Sequence, residues 1–258
     1  MTLTPYYSDE RVTLFHGDAM EIMPRLVSYV RPFDGVVTDP PYAATHLAWD
    51  AWPVGWPQLA ARLSSQLWCS GSMKMFMERG AEFDDWSYGQ DLVWEKHNGS
   101  NMASDRFKRV HEHVIHYYRG DWNQLYRAPQ YTNDSVARRI RRKKRPPQWG
   151  DIGESSFVSE FVSEDGGPRM MRSVIYAKSC HGFAVNETQK PEELFAPLVR
   201  YSVPPGGCVL DPFVGSGTTL VVAAREGRNA VGIELRKEQC DHIVARLAQK
   251  SLALEASP

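Results

Sequence analysis

The sequence predicts an α/β fold with a parallel, doubly wound sheet, and three observations carry that expectation. Short β-prone runs alternate with helical periodicity at both ends of the 258 residues. Hydrophobic residues make up 42% and charged residues 24%, the mix of a globular chain rather than a disordered one. Residues 207–249 read as strand, glycine-rich turn, helix, strand and helix, which is a βαβ unit with connections of ordinary length.

From the N-terminus, residues 12–15 (VTLF) read as a strand, and Met20, Met23, Leu26 and Val27 then recur at helical spacing. Residues 34–38 read as a second strand, stopped at Asp39-Pro40-Pro41 because proline cannot donate to a ladder. A helix is expected near 57–66, then strands near 91–96 and 113–118. Between 121 and 180 a basic run, Pro146-Pro147 and Gly166-Gly167-Pro168 leave little periodicity, so an inserted, loop-rich region with short strands is expected. Pro191 is placed to be the first residue of a helix, which Pro197 should kink or shorten. Strands at 207–211 and 229–234 and helices at 218–226 and 236–249 complete the pattern.

No apolar run approaches the ~18 residues of a membrane helix. The start, MTLTPYYSDERVTLF, carries acids where a signal peptide is greasy, so a cytoplasmic protein without membrane partners is expected. Cys69, Cys180, Cys208 and Cys240 form no CxxC pair, against a structural zinc site or a disulfide framework. His111, His113 and His116 miss the HExxH spacing and divide between two faces of a strand, so no metal is expected. The net charge of −1 hides a local asymmetry. Arg138, Arg139, Arg141, Arg142, Lys143, Lys144 and Arg145 are interrupted only by Ile140, which suits a DNA backbone, with a solvated charged face as the plainer reading.

The turn VLDPFVGSGTT, residues 209–219, follows a strand and opens a helix, so its glycines let backbone approach a ligand closely. Glu234 ends the next strand seventeen residues after Gly217. That is near the ~20-residue offset at which an acid grips ribose hydroxyls. Together they describe a pocket for an adenosine-bearing cofactor, against the alternative of a merely structural turn. No lysine follows Gly217 as a P-loop requires, and Leu220 stands where the dinucleotide fingerprint has its third glycine. Asp211 and Pro212 at the mouth would repel a pyrophosphate. A carboxylate there suits a cofactor bearing a sulfonium and an ammonium, such as S-adenosylmethionine.

Asp39-Pro40-Pro41-Tyr42 resembles the catalytic [DNS]PP[YFW] motif of the amino-group DNA methyltransferases. An exocyclic base amine is a poor nucleophile because its lone pair is delocalised into the ring. The Asp39 carboxylate and the Pro40 carbonyl can accept its two N–H bonds and favour a more pyramidal nitrogen. Pro40 and Pro41 hold the backbone extended and offer no competing donor. Tyr42 would stack on a base swung out of the duplex. Trp49, Trp52 and Trp56, just beyond, suit either a base pocket or core packing.

DPPY precedes the glycine-rich turn, an order that resembles the circularly permuted β class of these enzymes. The resemblance implies a Rossmann-like methyltransferase sheet in two halves, 1–120 (catalytic) and 183–258 (cofactor-binding), around a target-recognition region at 121–182. It also implies roles in holding S-adenosylmethionine. Asp18 and Ala19 of HGDA, Lys190 of QKP, and Asp39 fall in the first set. Asp211, Phe213, Gly215, Ser216, Gly217 and Thr218 come from the turn, and Glu234 and Leu235 from GIEL. Adenine N6 is the implied target because DPPY resembles the adenine group more than SPPY does. Cytosine N4, an RNA or protein amide, and a catalytically silent DNA-binding fold are the other readings, with a nicotinamide dehydrogenase disfavoured by Leu220. Double-stranded DNA is the implied partner, and the resemblance leaves room for a homodimer and for a restriction endonuclease alongside.

Overall fold

The computed structural model describes residues 3–27, 32–43, 47, 49–99, 104–141, 160–180 and 189–255. They divide into two compact units, Met1–Ala128 with Ser173–Pro258, and Pro129–Arg172. In chain order the first unit begins with β1 (Tyr7–Ser8), β2 (Val12–His16), α1 (Ala19–Leu26), β3 (Gly35–Thr38) and α2 (Trp56–Ala61). It continues with β4 (Gln66–Gly71), α3 (Met73–Arg79), β5 (Ser87–Glu95) and β6 (His111–Tyr118). The second unit holds β7 (Tyr131–Thr132), β8 (Arg138–Arg141), β9 (Glu160–Ser163) and β10 (Arg169–Met170). The chain then re-enters the first unit through β11 (Val174–Tyr176), α4 (Glu192–Ser202), β12 (Cys208–Asp211), α5 (Thr218–Arg225), β13 (Asn229–Glu234) and α6 (Lys237–Glu255).

One sheet of nine strands organises the first unit, in the order β1-β2-β13-β12-β3-β4-β6-β5-β11. The run from β2 to β4 is parallel throughout. The expected parallel sheet needs a correction at two places. β6 runs antiparallel between β4 and β5, and β1 runs antiparallel to β2 at the edge. Both follow from connection: β1 and β2 are joined by a tight turn, and the described residues between β5 and β6 hold no crossover helix, which is the antiparallel solution.

Local chemistry explains most elements. Asp18 caps α1 by accepting from the Met20 N–H at 2.8 Å, and the helix buries Ala19, Ile22, Met23 and Leu26 along one stripe. All four residues of β3 are buried, as a central parallel strand demands. The helix expected at 57–66 overshoots, because α2 stops at Ala61 and Gln66 opens β4. Every residue of β4 is buried, so no alternation marks it as a strand. Pro191 stands one position before α4 as its N-cap, and Pro197 leaves that helix unbroken. One lost backbone bond is outweighed by seven buried positions, Leu194 to Val199 and Ser202.

Within the second unit β7 pairs with β10 and β8 with β9, both antiparallel. The expected loop-rich stretch at 121–180 extends past this unit, and its last strand, β11, pairs with β5 in the main sheet. Among the described residues no helix is long and apolar enough to cross a membrane.

The topology brings the two motif-bearing turns together. β3 and β12 lie side by side, with Val209 opposite Gly35 and Leu210 opposite Val36. DPPY and the glycine-rich turn therefore leave adjacent strands at the same carboxyl edge, where open α/β sheets hold their ligands.

Candidate active site

At that edge lies a cavity of about 710 Å³, lined by Asp18, Ala19, Asp39 to Tyr42, Lys190, Asp211 to Ser216, Thr218, Glu234 and Leu235. Gly217 alone of the proposed site residues of this unit stands outside the lining, as the N-cap of α5 with φ +83°. Gly215 also takes a positive φ, +55°, a backbone shape that favours glycine.

Glu234 is built into this turn. One carboxylate oxygen accepts from the Gly215 N–H at 3.0 Å and the other from the Arg236 N–H at 2.9 Å. Burial pushes its carboxyl above the ordinary range against those bonds. The Thr218 hydroxyl donates to the Lys190 carbonyl at 3.1 Å, tying the start of α5 to the segment before α4. Phe213 presents its ring to Trp56 edge-on at 5.4 Å. Trp56 is fully buried, so this cavity wall rests directly on the core.

Asp211 corrects a sequence expectation. It does not stand at the mouth, for it is only 2% exposed and both oxygens are taken from within. Oδ1 accepts from the Thr38 hydroxyl at 2.7 Å and the Phe213 N–H at 3.1 Å, and Oδ2 from the Thr219 hydroxyl at 2.6 Å. It therefore clamps β3, β12 and α5 behind the cavity. Burial raises its carboxyl to about 6 against the hydroxyl bonds of Thr219 and Thr38. Because that value lies above the unfolded one, the associated stability is present at low pH and is lost as pH rises through about 6. Asp211→Asn should remove this dependence. In urea denaturation the variant should gain on the wild type between about pH 4 and 6, by on the order of 2 kcal/mol. A pH-independent difference would contradict the assignment.

The DPPY turn is held by a residue with no signal in the sequence. Asp50 Oδ1 accepts from the Tyr42 and Ala43 N–H groups, both at 2.9 Å, and Ala43 takes a positive φ of 55°. Burial keeps the Tyr42 phenol protonated, well above its ordinary range. The tryptophans divide between the two expected uses. Trp56 belongs to the core, Trp52 packs on it while also bordering the cavity, and Trp49 lines the cavity beneath the Arg236 guanidinium, 5.0 Å away.

Asp39 enters a buried set of charges that sequence reasoning did not find. Its Oδ2 accepts from the Lys190 ammonium at 2.5 Å. The same ammonium lies 3.4 Å from Glu112 Oε2, and Lys96 pairs with Glu112 Oε1. Two carboxylates and two ammoniums balance, and the Lys96, Glu112 and Lys190 side chains are 11%, 8% and 8% exposed. Burial and the Glu112 charge raise the Asp39 carboxyl although Lys190 opposes them. Burial would also raise Glu112, but Lys190 and Lys96 hold it down to about 2. Asp39 Oδ1 is buried and has no hydrogen-bond partner among the described residues. Glu112 and Lys96 belong to no catalytic motif, and Glu112 stands between two histidines at the start of β6, where nothing in the sequence marks its position as buried.

The basic run is less free than its composition suggests. Arg139 and Arg141 on β8 share Glu160 Oε1 at 2.6 and 3.2 Å, and Arg138 lies on the same strand. Arg142, Lys143, Lys144 and Arg145 lie outside the described residues. His111 and His113 meet on one face of β6, whereas His116 is buried against Trp68.

Comparison with known proteins agrees with this geometry. Residues 33–245 match the family described as DNA methylase, of the N6 and N4 type. The chain is 25% identical to the type II methyltransferase M.ScaI of Streptomyces caespitosus, over 97% of this chain and 86% of that one. The crystal structure of the M1.HpyAVI–SAM complex superposes with a TM-score of 0.61 at 21% identity, covering 92% of this chain and 98% of that one. The PvuII DNA methyltransferase, named as cytosine-N4-specific, gives 0.59 at 17% identity, covering 94% and 88%. These structures share a Rossmann-like α/β fold with this chain.

Proposed function

We propose that this chain, which belongs to the DNA methylase family, transfers a methyl group from S-adenosylmethionine to the N6 amine of an adenine swung out of duplex DNA. The observation that carries the reading is the buried, open Oδ1 of Asp39, set in DPPY beside the glycine-rich turn on one cavity.

The residues present fit the cofactor. A cavity of about 710 Å³ suits a ligand of that size. Glu234 spends one lone pair of each oxygen on backbone N–H groups and retains others for ribose hydroxyls. Phe213 offers an aromatic face braced by Trp56, and Asp18 keeps Oδ2 after capping α1 with Oδ1. When bound, S-adenosylmethionine would supply an electrophilic methyl on its sulfonium.

The chain's own groups then act on the amine. Asp39 and the Pro40 carbonyl accept its two N–H bonds, which holds the nitrogen pyramidal and its lone pair directed at the methyl carbon. Methyl transfer would leave the electron pair of the S–C bond on the departing sulfur and a surplus proton on the amine nitrogen. The surplus proton on nitrogen passes to Asp39, whose burial keeps its carboxyl above the ordinary range. Tyr42 stacks on the base and Asp50 fixes its turn. Positioning and electrostatics supply most of the rate.

In this reading 129–172, with Arg138, Arg139 and Arg141, belongs to the region that recognises DNA, within the wider 121–182 segment between the two halves of the methyltransferase domain. The PvuII likeness favours a second reading, transfer to cytosine N4, through the same carboxylate. Nucleoside mass spectrometry decides between them. Unmethylated DNA incubated with protein and cofactor should yield N6-methyldeoxyadenosine after complete digestion. N4-methyldeoxycytidine would move the base and keep the mechanism. No methylated nucleoside on varied DNA would overturn the reading.

A further inference from the structure

The geometry points to Glu112 as a positioning residue: it draws the Lys190 ammonium to one side of Asp39, so that Lys190 engages only Oδ2 and leaves Oδ1 open for the substrate amine, while Lys96 compensates Glu112.

Four separate segments build this arrangement. Glu112 lies on β6 directly opposite Trp94 of β5. Lys96 follows Trp94 by two positions, and its N–H continues the pairing by donating to the Val110 carbonyl at 2.8 Å. Alternation therefore puts Trp94, Lys96 and Glu112 on one face of the sheet. The Lys96 ammonium lies 4.6 Å from the Trp94 ring centre, and that of Lys190 lies 5.8 Å from it. The indole wall and the two carboxylates leave Lys190 a defined place between Asp39 and Glu112, at 2.5 and 3.4 Å.

An ammonium has three donors and no directional preference of its own. Without a second carboxylate, Lys190 would be free to settle across both Asp39 oxygens. The acceptor that the amine needs would then be occupied. Glu112 is 7% exposed, so water offers it little competition for the Lys190 charge.

The groups facing Asp39 are Lys190 before α4, Glu112 on β6, Lys96 after β5, Tyr42 in its own turn, Cys69 on β4 and Asp211 on β12. Of these, Glu112 raises the Asp39 carboxyl and Lys96 lowers it. Neutralising each should therefore move Asp39 in opposite directions, which a purely structural role would not do.

The inference rests on the methyl-transfer reading, so the test includes a readout that needs no turnover. In the full-length protein the Asp39 carboxyl is titrated by carbon NMR with labelled aspartate, assigned by its loss in Asp39→Asn. In Glu112→Gln it should titrate about one pH unit lower, and in Lys96→Met about one unit higher. In methyl-transfer assays Glu112→Gln should lose about tenfold or more in kcat while KM for the cofactor stays within about twofold. Its acid limb should shift down with the titration, and Glu112→Asp should restore part of the rate.

An Asp39 titration unmoved in both variants overturns the inference, whatever the activity. So does an unchanged kcat in Glu112→Gln beside an active wild type. A wild type that methylates no DNA defeats the methyl-transfer reading, and the titration still decides the arrangement of charges. Should Glu112→Gln fail to fold, an upward shift in Lys96→Met supports the arrangement and its absence overturns it.

Discussion

Asp39→Ala should lower methyl transfer by roughly 10²–10⁴-fold, the range for removing a positioned acceptor of protons. Both jobs assigned to the carboxylate, holding the amine pyramidal and taking its surplus proton, disappear together. Cofactor binding, followed by equilibrium dialysis, should weaken far less. Phe213 and the Gly215 N–H stay in the turn after β12, and Glu234 stays at the end of β13. Transfer at the wild-type rate in this variant would end the mechanism. Loss of cofactor binding in step with loss of transfer would instead mean that the cofactor contact, which the resemblance also implies for Asp39, accounts for the whole effect.

Lys190→Met carries the largest expected cost in stability, about 3–5 kcal/mol at neutral pH, because it leaves buried carboxylates short of a counter-charge. Asp39 would lose the donor on Oδ2 and Glu112 one of its two ammonium neighbours. The pH dependence gives the substitution a signature. In the wild type Glu112 is held at about 2, below its ordinary 4.5, so it contributes stability above pH 4.5 that is lost as pH falls towards 2. In the variant two carboxylates share Lys96 alone, and their proton affinity rises above the unfolded values. Stability is then retained at low pH and lost as pH rises. Urea denaturation at pH 5 and pH 8 should show a larger deficit at pH 8. An equal deficit at both would mean that Lys190 contributes by packing alone.

Part of this molecule could be read from local chemistry. The last strand, at 229–234, falls where the sequence puts it, because β13 has apolar neighbours, a glycine before it and an acid at its end. DPPY and the glycine-rich turn are equally local, since prolines and glycines restrict or free the backbone whatever surrounds them. β4 was hidden for the opposite reason. A strand covered on both faces carries no alternation, and its six buried residues look the same as a short apolar helix.

Asp211 shows where a motif misleads. Its position in the turn was evident, but it is closed off on one side by Thr219 of the following helix and on the other by Thr38, which reaches it only after β3 and β12 pair. The same holds for Asp50, whose bonds to the Tyr42 and Ala43 N–H groups come from a loop with no motif.

By itself the sequence determined the α/β class, the order of the two motif-bearing turns and the chemistry that each can perform, because these depend on residue type and spacing along the chain. Only the tertiary structure decided how the charges are shared. Lys96, Glu112, Lys190 and Asp39 stand far apart in sequence and meet because β5, β6 and β3 occupy one sheet with the start of α4 against it. A carboxylate's proton affinity depends on the burial and the charges within a few ångströms of it. Those distances are fixed by packing.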